Sequence, residues 1–305
     1  MMPQPTPANW LAILFLGLIW GGTFMVVEVA LAGGYGPVTI ACARVSLGAA
    51  AMLVLMAVLR RPFPSAAVVA SVWPYLLGIG IFSSALPFFL FSWGQQYVPS
   101  AFAGLSTTAV PLFVLPLAHV FSDEPMSLRK SLGTVLGFVG AMVLIGPGLA
   151  NIGQGAEPLG QVACLGAALC YAAGSIMTRR CPAIDPVTLG ALTLAVGAAC
   201  LIPAMLLVEG LPGWNGPLAG GAIVFLGLFP TALAALLRIA IIRSAGSLFM
   251  SLVSYQITLW TMFFGWLVLS ETLPGRFYVA LPLVLIGLAI TQSDSLRRMF
   301  RHAPR

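Results

Sequence analysis

Ten apolar runs, each about twenty residues long and bounded by Gly, Pro or charge, take up most of this 305-residue chain. A hydrocarbon layer ~30 Å thick needs roughly 20 apolar residues per helical span, so runs of this length dictate helices that cross a bilayer. They fall at residues 10–31, 38–59, 72–92, 100–121, 130–147, 159–179, 187–208, 217–240, 246–268 and 276–292. Composition agrees: 60% of residues are hydrophobic and 7% charged, with mean hydropathy +1.02, against about 25% charged in soluble domains. The connections are short and leave no room for a soluble catalytic domain. Ala30-Leu31-Ala32 resembles a signal-peptidase site, but no Lys or Arg precedes the first run. That run also exceeds the ~7–15 residues of a signal-peptide core, so it is read as a span.

The basic residues orient the spans, because Lys and Arg concentrate in cytoplasmic loops. Twelve of the fourteen (Arg60, Arg61, Arg129, Lys130, Arg179, Arg180, Arg238, Arg243, Arg297, Arg298, Arg301 and Arg305) fall at alternate helix ends. Both termini are therefore expected in the cytoplasm. The net charge of +6 is accounted for by topology, and no basic patch suited to nucleic acid remains. The five cysteines (Cys42, Cys164, Cys170, Cys181 and Cys200) are odd in number and lack CxxC spacing. They are read as small core residues, with neither a disulfide framework nor a metal site.

The chain also repeats itself. Gly36-Pro37-Val38-Thr39 recurs as Asp185-Pro186-Val187-Thr188, and Gly48-Ala49-Ala50 as Gly197-Ala198-Ala199; later Ser100 matches Ser247, Glu124 matches Glu271, Arg129 matches Arg276 and Gly140 matches Gly287. Each unit holds five spans, an odd number, so the copies cross the membrane in opposite senses. The expected fold class is an all-α membrane protein of ten transmembrane helices in two inverted five-helix repeats, residues 1–150 and 151–305. Inversion also explains Arg276, the counterpart of Arg129 placed on the far side. In such folds the substrate site lies near the midplane, between the repeats.

Polar residues near the midplane mark candidates. Ser247, Ser251, Ser254, Tyr255, Thr258 and Thr261 form a helical stripe on the ninth span, with Ser100, Gly104, Thr107, Thr108 and Pro111 as counterparts on the fourth. The stripe reads as a cavity lining, although small and hydroxylated residues also serve helix packing in membranes. Pro87, Pro111, Pro116, Pro203, Pro230 and Pro282 interrupt spans and free backbone carbonyls, as hinges, as cavity walls or as purely structural breaks. Glu28 and Arg44 are the charges set into the first two spans, and intramembrane charge is costly. An ion pair between them at the outer mouth would satisfy both; alternatively Arg44 attracts a substrate carboxylate. No deep Asp or Glu suggests proton coupling, so facilitated alternating access is expected. Motifs for nucleophilic, zinc or phosphate-loop chemistry are absent from the sequence, as are a selectivity filter and a charged ring. An enzyme or a channel is therefore disfavoured, and no cofactor is expected.

Trp20-Gly21-Gly22-Thr23-Phe24 in the first span, Pro111 followed by Phe121-Ser122-Asp123-Glu124, and Leu269-Ser270-Glu271 with Gly287 resemble the EamA branch of the drug/metabolite transporter superfamily. The resemblance extends from Trp10 to Thr291 and is strongest to bacterial inner-membrane exporters of aromatic and other amino acids, the YddG type. It implies a central cavity formed by spans one, three, four, six, eight and nine, with Trp20 in the first-span motif and Tyr171 at the matching second-unit position. Together with the stripe, it gives Trp20, Ser83, Tyr171, Ser251, Ser254, Tyr255, Thr258 and Trp260 as candidate substrate-binding residues. The expected partners are an amino acid and the lipid bilayer, with a monomer as the functional unit. A carrier of nucleotide sugars, lipid-linked groups or drugs is the alternative. Large anionic head groups would want several cavity cations, and only Arg44 is legible as one.

Overall fold

The structure, a computed structural model, describes residues 5–61, 63–121, 127–145, 156–246, 249–250, 253–271 and 275–301. All regular structure among the described residues is helical. The helices are α1 (Pro7–Ala32), α2 (Pro37–Val58), α3 (Ala66–Gly94), α4 (Ser100–Phe121), α5 (Leu128–Ile145), α6 (Glu157–Arg180), α7 (Pro186–Val208), α8 (Gly216–Ala245), α9 (Val253–Leu269) and α10 (Gly275–Arg301). Seven of them, α1 to α4 and α6 to α8, are long and apolar enough to cross a membrane. Shorter apolar stretches lie in the other three, at Ser131–Gly140, Gln256–Leu269 and Gly275–Gly287.

Local sequence explains the starts. Pro7, Pro37 and Pro186 occupy first turns, where the missing N–H costs nothing. Thr6 and Asp185 cap their helices by accepting from Asn9 N (3.3 Å) and Thr188 N (3.0 Å). Two starts are capped from a distance. Glu209, just after α7, accepts from Val38 N (2.9 Å) and Thr39 N (2.7 Å) at the start of α2. Glu271, just after α9, accepts from Ser100 N (2.8 Å) and Ala101 N (3.1 Å) at the start of α4. Each carboxylate satisfies two N–H groups that a helix leaves without partners and faces the positive end of the helix dipole.

Prolines shape three helices. The α3 segment Ile81–Ala85 and the α8 segment Leu228–Leu233 are π-helical, and α4 tightens to a 3₁₀ turn at Thr107–Ala109. Pro87 follows the first, Pro230 lies within the second and Pro111 follows the third. A proline ring clashes with the carbonyl four residues back, and a π turn makes room for it. Pro116, Pro203 and Pro282 stay inside α-helical segments.

Helices from the two ends of the chain pack reciprocally. α1 lies against α8 and α9, and α6 lies against α3 and α4; α2 packs along α7, and α5 along α10. Close approach depends on glycine. A Cβ on Gly94 would stand 2.9 Å from the Gly160 carbonyl oxygen, and one on Gly80 would stand 2.7 Å from that of Thr193. Small residues at such crossings let helix backbones meet in lipid.

Several boundaries differ from the sequence reading, among them those of α3, α8 and α10: α3 begins at Ala66 rather than near 72. α8 continues to Ala245 rather than ending near 240, which moves Arg238 from a helix end to the helix interior. α10 extends through Arg301, since no Gly or Pro occurs between residues 292 and 301.

Candidate functional site

A cavity opens where α1, α2, α3, α4, α6, α7, α8 and α9 converge, with about 1070 Å³ of empty space including its opening to solvent. Its walls are mostly apolar, with Phe24, Phe88, Phe91 and Leu194 prominent. Onto them project a few polar groups, the composition expected of a small-molecule site.

Trp20 reaches the cavity from α1 and its indole Nε1 donates to the Pro230 carbonyl at 2.9 Å. The acceptor lies in the π turn of α8, so the irregular backbone there supplies the partner that an aromatic N–H needs when buried. Tyr171, on α6, stands among Phe91 and Phe88, with ring centroids 5.9 and 6.5 Å away. Ser83 projects from the π turn of α3, is buried, and its Oγ has no hydrogen-bond partner. Gln95 donates from Nε2 to the Phe24 carbonyl (2.8 Å), leaving its buried Oε1 unpartnered.

Two arginines face this space. Arg44, 4% exposed, donates from Nε to Thr231 Oγ1 at 2.8 Å and stacks its guanidinium 3.7 Å from the centre of the Phe88 ring. Thr231 Oγ1 in turn donates to the Leu226 carbonyl (2.7 Å) across the π turn. Arg238 donates from Nη2 to Ser175 Oγ at 3.2 Å, and Ser175 donates to the Tyr171 carbonyl at 2.8 Å. No Asp or Glu is among the cavity-lining residues described.

Of the residues singled out from sequence, Trp20, Ser83, Tyr171 and Ser254 line the cavity. Thr258 does not. It is fully buried, and its hydroxyl lies 3.0 Å from the Ser254 carbonyl and 3.4 Å from that of Gly104 on α4. Trp260 also lies outside; it is half-buried and stacks on Phe264 with centroids 5.9 Å apart. Ser251 and the side chain of Tyr255 are outside the described residues. Glu28 and Arg44 do not pair. Arg44 turns inward to Thr231 and Phe88, while Glu28 faces a separate surface cleft with Leu31, Tyr35 and Gln96.

Sequence reasoning missed Arg238, Thr231, Gln95 and Thr193 as lining residues. A signal for Arg238 existed: Ile239-Ala240-Ile241-Ile242 continues the apolar run beyond it.

Comparison with known proteins sets this geometry in a family. A family model described as EamA-like transporter matches residues 7–146 and again residues 158–292. The chain belongs to the EamA-like transporter family. The chain is thus a member of a family of multi-pass membrane transporters, and the two matches divide it close to the middle. Among similar proteins is the uncharacterized transporter YoaV of Bacillus subtilis, 23% identical over 94% of this chain and 98% of that one. Another is a probable terminal-alkyne amino-acid exporter of Streptantibioticus cattleyicolor, 25% identical over 80% of this chain and 81% of that one. A riboflavin transporter of Vibrio cholerae is 24% identical over 70% of both. A solved crystal structure, 19% identical, shares the fold with TM-score 0.69 over 94% of this chain and 98% of the other.

Proposed function

We propose that this EamA protein exports amino acids and related carboxylates through the central cavity by alternating access. The observation that carries the reading is the cavity itself, walled by helices from both family-matched halves and combining aromatic rings, hydroxyls and guanidinium groups. A carboxylate suits the guanidinium groups and hydroxyls, and an apolar side chain suits the rings. The amino-acid exporter among the relatives supports the same substrate class.

The reading includes ten spans as two inverted five-helix units, residues 1–150 and 151–305. Support comes from the reciprocal packing of α1 and α6 and the π turns at like places in α3 and α8. The protein sits in a bacterial inner membrane as a monomer with both termini in the cytoplasm, and Arg60, Arg61, Arg179, Arg180 and Arg243 still mark one side under this orientation. Transport is facilitated: the cavity walls described carry no carboxylate able to trade a proton for substrate.

Flux of a panel of radiolabelled amino acids and their deaminated acids into proteoliposomes tests this reading. Uptake of at least one of them down its gradient, unchanged by an imposed pH gradient, is the expected result. Absence of flux for every compound contradicts the assignment, and a strict requirement for the pH gradient contradicts the facilitated mechanism. Trp20→Phe keeps the ring but loses the bond to the Pro230 carbonyl, so a fall in flux of roughly fivefold is expected, the effect of one net hydrogen bond. Trp20→Ala also loses the aromatic wall and reduces flux by more than Trp20→Phe.

A further inference from the structure

Arg44 and Arg238 are two cations without an anion. Among the described residues Arg44 meets a hydroxyl and a phenyl ring, and Arg238 meets a hydroxyl; neither forms an ion pair with a carboxylate. A guanidinium carries five N–H donors in a planar fork suited to carboxylates, and each of these commits one N–H group to a side-chain partner. Charge held inside a membrane protein without a counter-charge is costly and marks a functional position. Arg44 is fixed to Thr231, and Arg238 lies seven residues further along the same helix, about 10 Å along its axis. The two cations therefore sit at two levels of one cavity. Tyr171 lines the same cavity, beside the apolar faces of Phe88 and Phe91. Ser83, buried and unpartnered, adds a free hydroxyl. No carboxylate among the lining residues is placed to receive a substrate ammonium.

We propose that the transported species is an organic dianion, two carboxylates separated by a short apolar segment, with one carboxylate on Arg44 and the other on Arg238. The inference rests on the transport reading above and selects, from its amino acids and related carboxylates, the carboxylates that carry two acidic groups and no ammonium. A zwitterion leaves one guanidinium unmatched and brings an ammonium into a positively charged cavity. A dianion neutralises both cations, and its apolar segment lies along the phenyl walls.

The test is competition among benzylsuccinate, phenylpropionate and phenylalanine in proteoliposomes at neutral pH, since these share the aromatic ring and differ in charged groups. Benzylsuccinate is expected to be taken up best, about tenfold ahead of phenylpropionate, in line with one added charge-assisted hydrogen-bonded contact. Arg238→Gln should bring the two acids within about twofold of each other, and Arg238→Lys should restore part of the preference. Protection of the unaltered protein from thermal unfolding by benzylsuccinate, and less by phenylalanine, supplies a readout that does not depend on the variants. Phenylalanine transported as well as or better than benzylsuccinate overturns the dianion proposal and leaves the transport reading standing. Equal use of the two acids by the unaltered protein overturns the two-point contact. If none of the three moves while other amino acids do, the dianion proposal fails alone; if nothing in the wider panel moves, the transport reading fails with it.

Discussion

Glu271→Ala is expected to lower the unfolding free energy by about 3 kcal/mol, the sum of two hydrogen bonds to a charged acceptor, and Glu209→Ala by a similar amount. Each carboxylate holds the first two free N–H groups of a helix from the other half of the chain. In both cases the carboxylate lies 171 residues after its first donor. Alanine would leave those N–H groups without partners where lipid cannot replace them. Glutamine retains one acceptor oxygen without the charge, so it should recover part of the loss. Thermal unfolding of purified protein in detergent measures this; an unchanged melting temperature for both alanine variants would contradict the capping role. The position of Glu271 at a loop boundary, matched to Glu124, reads in the sequence as a helix-start or folding determinant, and Glu271 does cap the start of α4; Glu124 lies outside the described residues.

Gly287→Leu should be equally severe. A Cβ on Gly287 would stand 2.5 Å from Gly137 N and 2.6 Å from the Gly133 carbonyl oxygen. Both neighbours are backbone, so no rotamer change relieves the clash and α5 must move away from α10. Overpacking of this kind costs about 3 kcal/mol, with Gly287→Ala suffering part of it. Loss of monodisperse protein on size exclusion, or a melting temperature well below that of the unaltered protein, is the expected outcome. A leucine variant as stable as the original would show that the two helices separate without penalty.

Most helix positions were legible because their causes are local: apolar run length marks helices that can cross a membrane, whereas the starts of α1 and α3, at Pro7 and Ala66, lie three and six residues before the apolar runs begin. The candidate site was only half legible, since burial partners come from distant parts of the chain. On α9, Ser254, Thr258 and Thr261 share one stripe but not one environment. Ser254 borders the cavity, whereas Thr258 faces Gly104 on α4 and Thr261 donates to the Gly21 carbonyl on α1 at 3.0 Å. Hydroxyls in a membrane helix serve packing and binding with the same spacing, so periodicity could not separate the two. Trp260, two residues beyond Thr258, points some 200° around the helix from it and joins Phe263 and Phe264 instead. Arg44 was expected beside Glu28 because the two shared an end of the membrane. Its actual partner, Thr231, is 187 residues away and reaches it through a π turn that the sequence marks only by Pro230. Arg238 was counted among the loop cations because the end of α8 was placed five residues early, and that small shift concealed the second cation of the cavity.

Alternating access through this cavity is tested most directly by a single cysteine at Ser83, introduced into a protein whose five native cysteines have been replaced. Ser83 lines the cavity on the π turn of α3. A membrane-impermeant thiol reagent should modify Ser83→Cys when applied to either side of sealed vesicles, and a transported substrate should slow modification from both. Modification from one side alone, with substrate flux intact, would contradict the account.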